Sequence, residues 1–565
     1  MQKTLPAEIQ AFMQMEWAQI EPRYLDLVSR PVNEQTVQGW LKDWTHLNHL
    51  LRETYQRLYV GSTVDTTDLP AQERYTHFLD HIFPPAQAAE QKLKEKLLAS
   101  GLEPAGFEVP LRNLRLEAEL FREANLPLLS EGLKLATEYD KIVGAQTVDW
   151  QGKELTLSQL QPMYLEPDRS LRERAWRLAA RRQLADRQAI NELWVKQLAI
   201  RRQLAANADL PDYRAYRWRQ LMRFDYTPHD CKQFQRAIEA VVVPAARRLY
   251  ERRRRLLGLE ALRPWDLLVD VLSRPPLKPY STIIELEEKT EAMFNCVDPA
   301  LGKYFATMRL EGLLDLDNRK GKAPGGYCTD FPASARPFIF CNSVGVHEDV
   351  LTLLHEGGHA FHVFESSRLP YAQQLQVPLE FAEVASMGME YLASPYLSAE
   401  QGGFYSHADA ARARFEHLEQ GLLFWPYMAV VDAFQHWVYE EREAAANPAN
   451  CDAQWDELWQ RFMPGVDWSG LEDERVTGWQ RKLHIHEDPF YYVEYGLALL
   501  GAVQVWRNAR HNQAAATAAY RRALALGGTA TLPQLFAAAG AKFAFDAGTL
   551  QEAVDLMEKT MLELE

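Results

Sequence analysis

Residues 350–365 read VLTLLHEGGHAFHVFE. Placed on a helix at about 100° per residue, Val350, Leu353, Leu354, Gly357 and Phe361 gather on one side, the spacing of a buried face. His355, His359 and His362 gather on the opposite side, with Glu356 at the flank. Each glycine inside a helix costs about 1 kcal/mol relative to alanine. The expectation is that Gly357, within the apolar stripe, lets another backbone come close while Gly358 lies at the stripe's edge, and that burial offsets the cost. A chain that buries one side of this segment and keeps histidines on the other must build a helical packing around it.

The rest of the chain supplies helices. Residues 6–60 and 85–138 carry long amphipathic patterns, with turns expected at Gly61-Ser62 and Pro84-Pro85. Residues 168–206 read as one long basic helix, capped by Asp168 or Ser170. Strand signals are local. Residues 145–157 suggest a hairpin turning at Gln151-Gly152, and residues 336–342 (RPFIFCN) a short strand that Pro332 and Pro337 would place at a sheet edge. Breaks are expected near Pro211, at 273–280 and at 315–326, and helices return at 533–540 and 547–565. The fold class expected is mainly α, with a small β-sheet next to the histidine-bearing helix.

Composition narrows the functional classes. The 565 residues are 47% hydrophobic, enough for a large core, and the formal net charge is −15, which disfavours nucleic acid and anionic membrane as partners. The run Arg252–Arg255 reads as a solvated, ion-paired helix surface, because consecutive helical residues point in different directions. Five scattered cysteines with no CxxC fit a reduced interior, the N-terminal residues lack the apolar stretch of a signal peptide, and no uninterrupted apolar run reaches 18 residues. These features point to a soluble cytoplasmic protein; the oligomeric state is left open.

His355 and His359 stand one above the other, the spacing with which two imidazoles grip one Zn²⁺, and Glu356 is turned so that it can reach a water on the metal. This is HExxH. His362, about 10 Å further along the axis than His355, suits a supporting or substrate-facing role better than a third ligand. A catalytic zinc needs a third protein ligand. The segment 377–393 (VPLEFAEVASMGMEYLA) offers Glu380, Glu383 and Glu390, and spacing does not choose among them. Further on, residues 482–496 read KLHIHEDPFYYVEYG; on a helix Tyr491, Tyr492 and Tyr495 can present hydroxyls along one side, either as aromatic core or as donors to an oxyanion.

HEGGHAFH followed by FAEVASMGMEY resembles the thimet oligopeptidase and oligoendopeptidase F family of zinc peptidases. The resemblance implies that Glu383 is the third ligand of one zinc per chain and that Glu390 supports the metal site from behind. The aspartate that related enzymes place four residues after the ligand glutamate is Met387 here, so Asp349 is a further candidate for orienting a histidine. The family's histidine before a PFYY-x-E-Y-like helix maps onto His484, with His486 as competitor. Tyr495 maps onto the transition-state stabiliser, and Tyr491 and Tyr492 onto peptide contacts. Gly325 and Gly326, in GGYC, and the strand RPFIFCNSVG resemble the family's substrate-binding edge, and PDR at 167–169 and RFDYTP at 223–228 extend the similarity. The resemblance further implies two helical lobes, residues 1–200 as channel wall and 201–565 as catalytic lobe, around a deep channel that admits short unstructured oligopeptides. The activity implied is zinc-dependent oligoendopeptidase action with Glu356 as general base. Two alternatives stand beside it. One is a metallocarboxypeptidase or dipeptidyl carboxypeptidase of related fold, needing a cation such as Lys482 for a substrate carboxylate. The other is a helical peptide-binding scaffold without catalysis, against which the intact Glu356 speaks.

Overall fold

The computed structural model describes residues 7–319, 321–323 and 325–565. They are mainly helical, with two small sheets. The largest apolar core gathers residues from Trp194 to Met561, and a separate core forms within Ile9–Leu114. Among the described residues no helix is long and apolar enough to cross a membrane. All five cysteines are free.

The hairpin pairs β1 (Thr147–Trp150) with β2 (Lys153–Thr156) in antiparallel register, Trp150 opposite Lys153. Its turn residues Gln151 and Gly152 both have positive φ, 56° and 81°, as a two-residue turn of this hand demands. The second sheet holds β3 (Leu314–Asp317), β4 (Tyr327–Phe331) and β5 (Arg336–Ser343) in the order β3-β5-β4. The strand expected at an edge, β5, is therefore central. Pro337 is tolerated because it faces Asp330 of β4, while pairing with β3 starts at Ile339, opposite Leu314. The edge position falls instead to β4, which GGYC leads into. β3 lies in the stretch read as a break, its four residues LDLD being too short and acidic to signal a strand.

Three helical expectations change. The segment 168–206 divides at Asp186 into Arg169–Ala185 and Arg187–Asn207. The Asp186 carboxylate, held by Gln146 and Arg182 at 2.8 and 2.7 Å, fixes the break. Asp168 is the cap, accepting from the Ser170 and Leu171 amides, so Ser170 lies inside the helix. Gly61 and Ser62 make no turn; they sit in the helix Val37–Val64, whose buried face (Trp40, Leu41, Trp44, Leu47, Leu50) outweighs one glycine's cost. In the arginine run, Arg252 pairs with Glu565, and Arg254 and Arg255 with Glu251, as a surface would. Arg253 is buried, bonded to Glu419 at 2.6 Å and the Val269 carbonyl at 2.7 Å, since one of four successive residues must turn inward.

The histidine helix spans His347–Ser366 and packs on β5 and on the glutamate helix Leu379–Ala393. Val350, Leu353, Leu354 and Phe361 are buried, as their spacing required. The two glycines exchange the roles expected of them. A Cβ on Gly357 would stand 2.5 Å from the Phe294 ring, whereas one on Gly358 would stand 2.4 Å from the Ala385 carbonyl oxygen and 2.6 Å from the Ser386 Cα. Gly358 is thus where the backbones of the two site-bearing helices meet. Neither backbone can give way without moving the other, so Gly358→Ala is expected to destabilise the protein by about 3 kcal/mol. A denaturant melt reads this directly, and an unchanged midpoint would contradict the close approach.

Candidate active site

The contact at Gly358 brings the polar side of the histidine helix against the glutamate helix. His355 Nε2 and His359 Nε2 lie 3.4 and 3.7 Å from the same oxygen, Glu383 Oε2. All three donor atoms lie within 4.8 Å of one another. Donors about 2.0–2.1 Å from a tetrahedral zinc stand about 3.3 Å apart, so the triad has the dimensions of such a site.

The surroundings prepare the donors. His355 Nδ1 is 2.7 Å from Glu390 Oε1, so its N–H points at that carboxylate and the Nε2 lone pair faces the cluster. Glu390 is held in turn by His417 Nε2 at 2.8 Å, and the His417 ring stacks on Tyr391. Glu383 accepts the Tyr491 hydroxyl on Oε1 at 2.6 Å and the Ser386 hydroxyl on Oε2 at 3.0 Å. Burial works to raise the Glu383 carboxyl, but His359, His355 and Tyr491 outweigh it and bring it down to about 2. Burial lowers His359 to about 4, leaving it a neutral donor at pH 7. Two imidazoles and one ionised carboxylate fit Zn²⁺ in charge and chemistry.

Glu356 follows His355 and is buried, its carboxyl pushed up to about 7 by that burial. The Cys328 backbone in β4 lies close enough to work against that rise, which sets the general-base candidate beside β4. Gly325, just before that strand, has φ 91°, a left-handed conformation that favours glycine, and its carbonyl accepts from Asn342 at 2.9 Å. A Cβ on Gly326 would only touch the Phe340 carbonyl and Thr352, at 3.4 Å.

The tyrosine helix, Tyr492–His511, packs on the glutamate helix. The His484 ring packs against Tyr491, Tyr492 and Tyr495 at 5.5, 5.2 and 5.6 Å between centroids. Its competitor His486 is elsewhere, stacked on Tyr139 and 3.1 Å from Gln197 Oε1. The Tyr495 phenol is raised by burial and by the nearby Glu383, Glu494 and Glu356. The three tyrosines surround the His484 ring but differ in what else they reach. Tyr491 reaches the Glu383 carboxylate instead of open space, and Tyr492 is buried between Phe424 and Tyr427, because a single helical step turns it inward.

Three further candidates sit apart from the triad. Asp349 is not behind either histidine. At the start of the histidine helix, its Oδ2 accepts the amides of Val344, Gly345 and Val346 and the Tyr280 hydroxyl. A third-position acid is well placed for that capping, and Glu390 takes the orienting position instead. His362 is buried edge-on to Phe381, and its Nε2 has no hydrogen-bond partner among the described residues. Glu380 turns away to the Tyr226 hydroxyl and Arg223. His417 has no sequence signal: it sits in the third turn of the helix His407–Glu440 with no motif around it.

A second set of donors, Cys231, Asp432 and His436, also lies within 4.8 Å. There an Arg214 N–H faces His436 Nδ1 at 3.3 Å, which leaves the ring proton on Nε2, and Arg214, Lys232 and Arg223 make the surroundings cationic. That cluster does not suit a metal.

Comparison with known proteins identifies the family. Residues 163–555 match the model of peptidase family M3. The chain is 28% identical over 162 residues to the oligopeptidase PepF of Bacillus subtilis (strain 168), covering 27% of this chain and 23% of that protein. It is 22% identical over 311 residues to an oligoendopeptidase F homolog of Borreliella burgdorferi, covering 53% and 50%. These matches thus span half or less of the length of the two curated relatives. Among solved structures, PZ peptidase A with an inhibitor superposes with TM-score 0.91 at 28% identity, covering 98% of this chain and 99% of that one. A putative oligoendopeptidase F superposes with TM-score 0.91 at 28% identity, covering 97% of each. Matched by the family model over residues 163–555, and folded like these peptidases along nearly its whole length, the chain belongs to peptidase family M3.

Proposed function

We propose that the protein is a zinc-dependent oligoendopeptidase that hydrolyses internal bonds of short unstructured peptides. The observation that carries this reading is the convergence of His355, His359 and Glu383 with Glu356 beside them. One Zn²⁺ per chain, held by those three side chains, would supply Lewis acidity to the scissile carbonyl and to the attacking water.

The protein's own groups do the rest. Glu356, with a carboxyl near neutral, takes the proton of the attacking water and delivers it to the leaving amine. Tyr495 donates to the oxyanion as it develops, with His484 beside it; burial keeps His484 neutral, at about 3. Tyr491 and Glu390 hold Glu383 and His355 in place. The free side of β4, with Gly325 and Gly326 leading in, pairs with an extended peptide backbone, giving affinity with little sequence preference. Residues 1–200 form the channel wall that keeps folded proteins out, and the unpaired cysteines support a cytoplasmic setting.

The test is cleavage of an internally quenched peptide of about ten residues by metal-loaded protein, with and without chelator. The reading expects an internal cut, its loss on chelation and its return with Zn²⁺. Turnover that is indifferent to the chelator would contradict it.

A further inference from the structure

Lys482 is a cation without a counter-charge. Among the described residues its Nζ has no ion pair or hydrogen bond; it stands 3.9 Å over the Tyr492 ring and 5.6 Å from the Tyr427 ring. A lysine buried elsewhere in the fold, Lys322 between β3 and β4, shows what full burial requires. Its ammonium pairs with Asp315 at 3.0 Å and with the Asp315 and Asp317 carbonyls at 2.9 Å. The charged neighbour Arg481 is directed elsewhere, to the Thr477 hydroxyl and the Glu474 carbonyl. The groups facing Lys482 are thus two phenol rings, from the helix His407–Glu440 and the tyrosine helix, with His484 two residues on.

The position is as informative as the lack of a partner. Tyr492, under the ammonium, packs on Tyr495 and His484, so Lys482 is two ring contacts from the oxyanion donors. Extended peptide advances about 3.3 Å per residue, which puts a substrate group within about three residues of the scissile bond in reach. A partly buried ammonium over aromatic faces attracts an anion strongly, because little solvent competes for it. Burial alone brings Lys482 down to about 7, and an incoming carboxylate restores the full charge.

Resting on the peptidase reading, we propose that Lys482 is a specificity-determining residue that binds a carboxylate of the substrate close to the cleaved bond. That carboxylate is either the peptide's C-terminal group or an acidic side chain.

Pairs of quenched peptides, identical except for one carboxylate, test this. One arm compares a free C-terminus with its amide. The other compares Glu with Gln at each of the three positions on either side of the cut. The wild-type enzyme is expected to favour the carboxylate member of at least one pair by about 10-fold in kcat/KM, mainly through KM. Lys482→Met should bring that ratio to near one and Lys482→Arg should keep most of it. A preference in the first arm makes the enzyme read free ends; a preference in the second makes it read acidic residues. Wild-type ratios near one in every pair, or a ratio that survives in Lys482→Met, would overturn the assignment. Wild-type protein that cleaves no peptide of the set would sink the peptidase reading itself, a distinct outcome from cleavage without preference.

Discussion

Glu356→Gln is expected to lower kcat/KM by about 10⁴-fold while metal content and peptide binding stay at wild-type levels. The amide keeps the shape and the contact with β4 but cannot accept the water's proton. The loss corresponds to about 5.5 kcal/mol of transition-state stabilisation. The separation of the two readouts gives the prediction its force. Glu356 is beside the triad and not part of it, so metal should remain when turnover goes. Turnover of the variant within a few-fold of wild type would remove Glu356 as the base. Loss of metal in the variant would make it a structural or ligating group instead.

Glu383→Ala should produce the opposite pairing of effects. Here the only carboxylate of the triad disappears, and the Tyr491 hydroxyl loses its acceptor together with it, while Ser386 keeps the Glu383 backbone carbonyl. Loss of a mere supporting group behind a ligand costs about 10–100-fold in metal affinity, so removal of a ligand should exceed about 100-fold. The variant is expected to emerge from dialysis without metal and to be inactive, and to regain activity only partly in excess Zn²⁺. Metal binding at wild-type strength would exclude Glu383 as a ligand and reopen the choice among the glutamates of its helix.

Much of this site was legible because helical periodicity fixes where side chains point. The wheel separated His355 and His359 from Val350, Leu354 and Phe361, and the structure keeps that separation. The hairpin was legible from its Gln-Gly turn, whose positive φ angles few other pairs accept. Contacts between distant segments were not legible. Which glycine meets a backbone depends on how the glutamate helix crosses, and that crossing has no local signature. His417 approaches Glu390 from 27 positions away, so no spacing rule reaches it. Asp349 does not orient a histidine because a carboxylate in the first turn of a helix finds the amides of the residues leading into that helix sooner than a distant ring. The central place of β5 depends on β3, whose pairing partner is fixed only when the chain has folded. The family resemblance chose among alternatives that spacing left open, such as Glu383 over Glu380; the side chains then give Glu380 a different partner, Tyr226.

The central claim is that two imidazoles and one carboxylate share a single cation. Crystals of the purified protein, measured for anomalous scattering on both sides of the zinc absorption edge, test it most directly. The account predicts one strong peak about 2.0–2.2 Å from His355 Nε2, His359 Nε2 and a Glu383 oxygen, with Glu356 outside bonding distance. A zinc peak at other residues, or three side chains that hold no metal in zinc-saturated crystals, would contradict it.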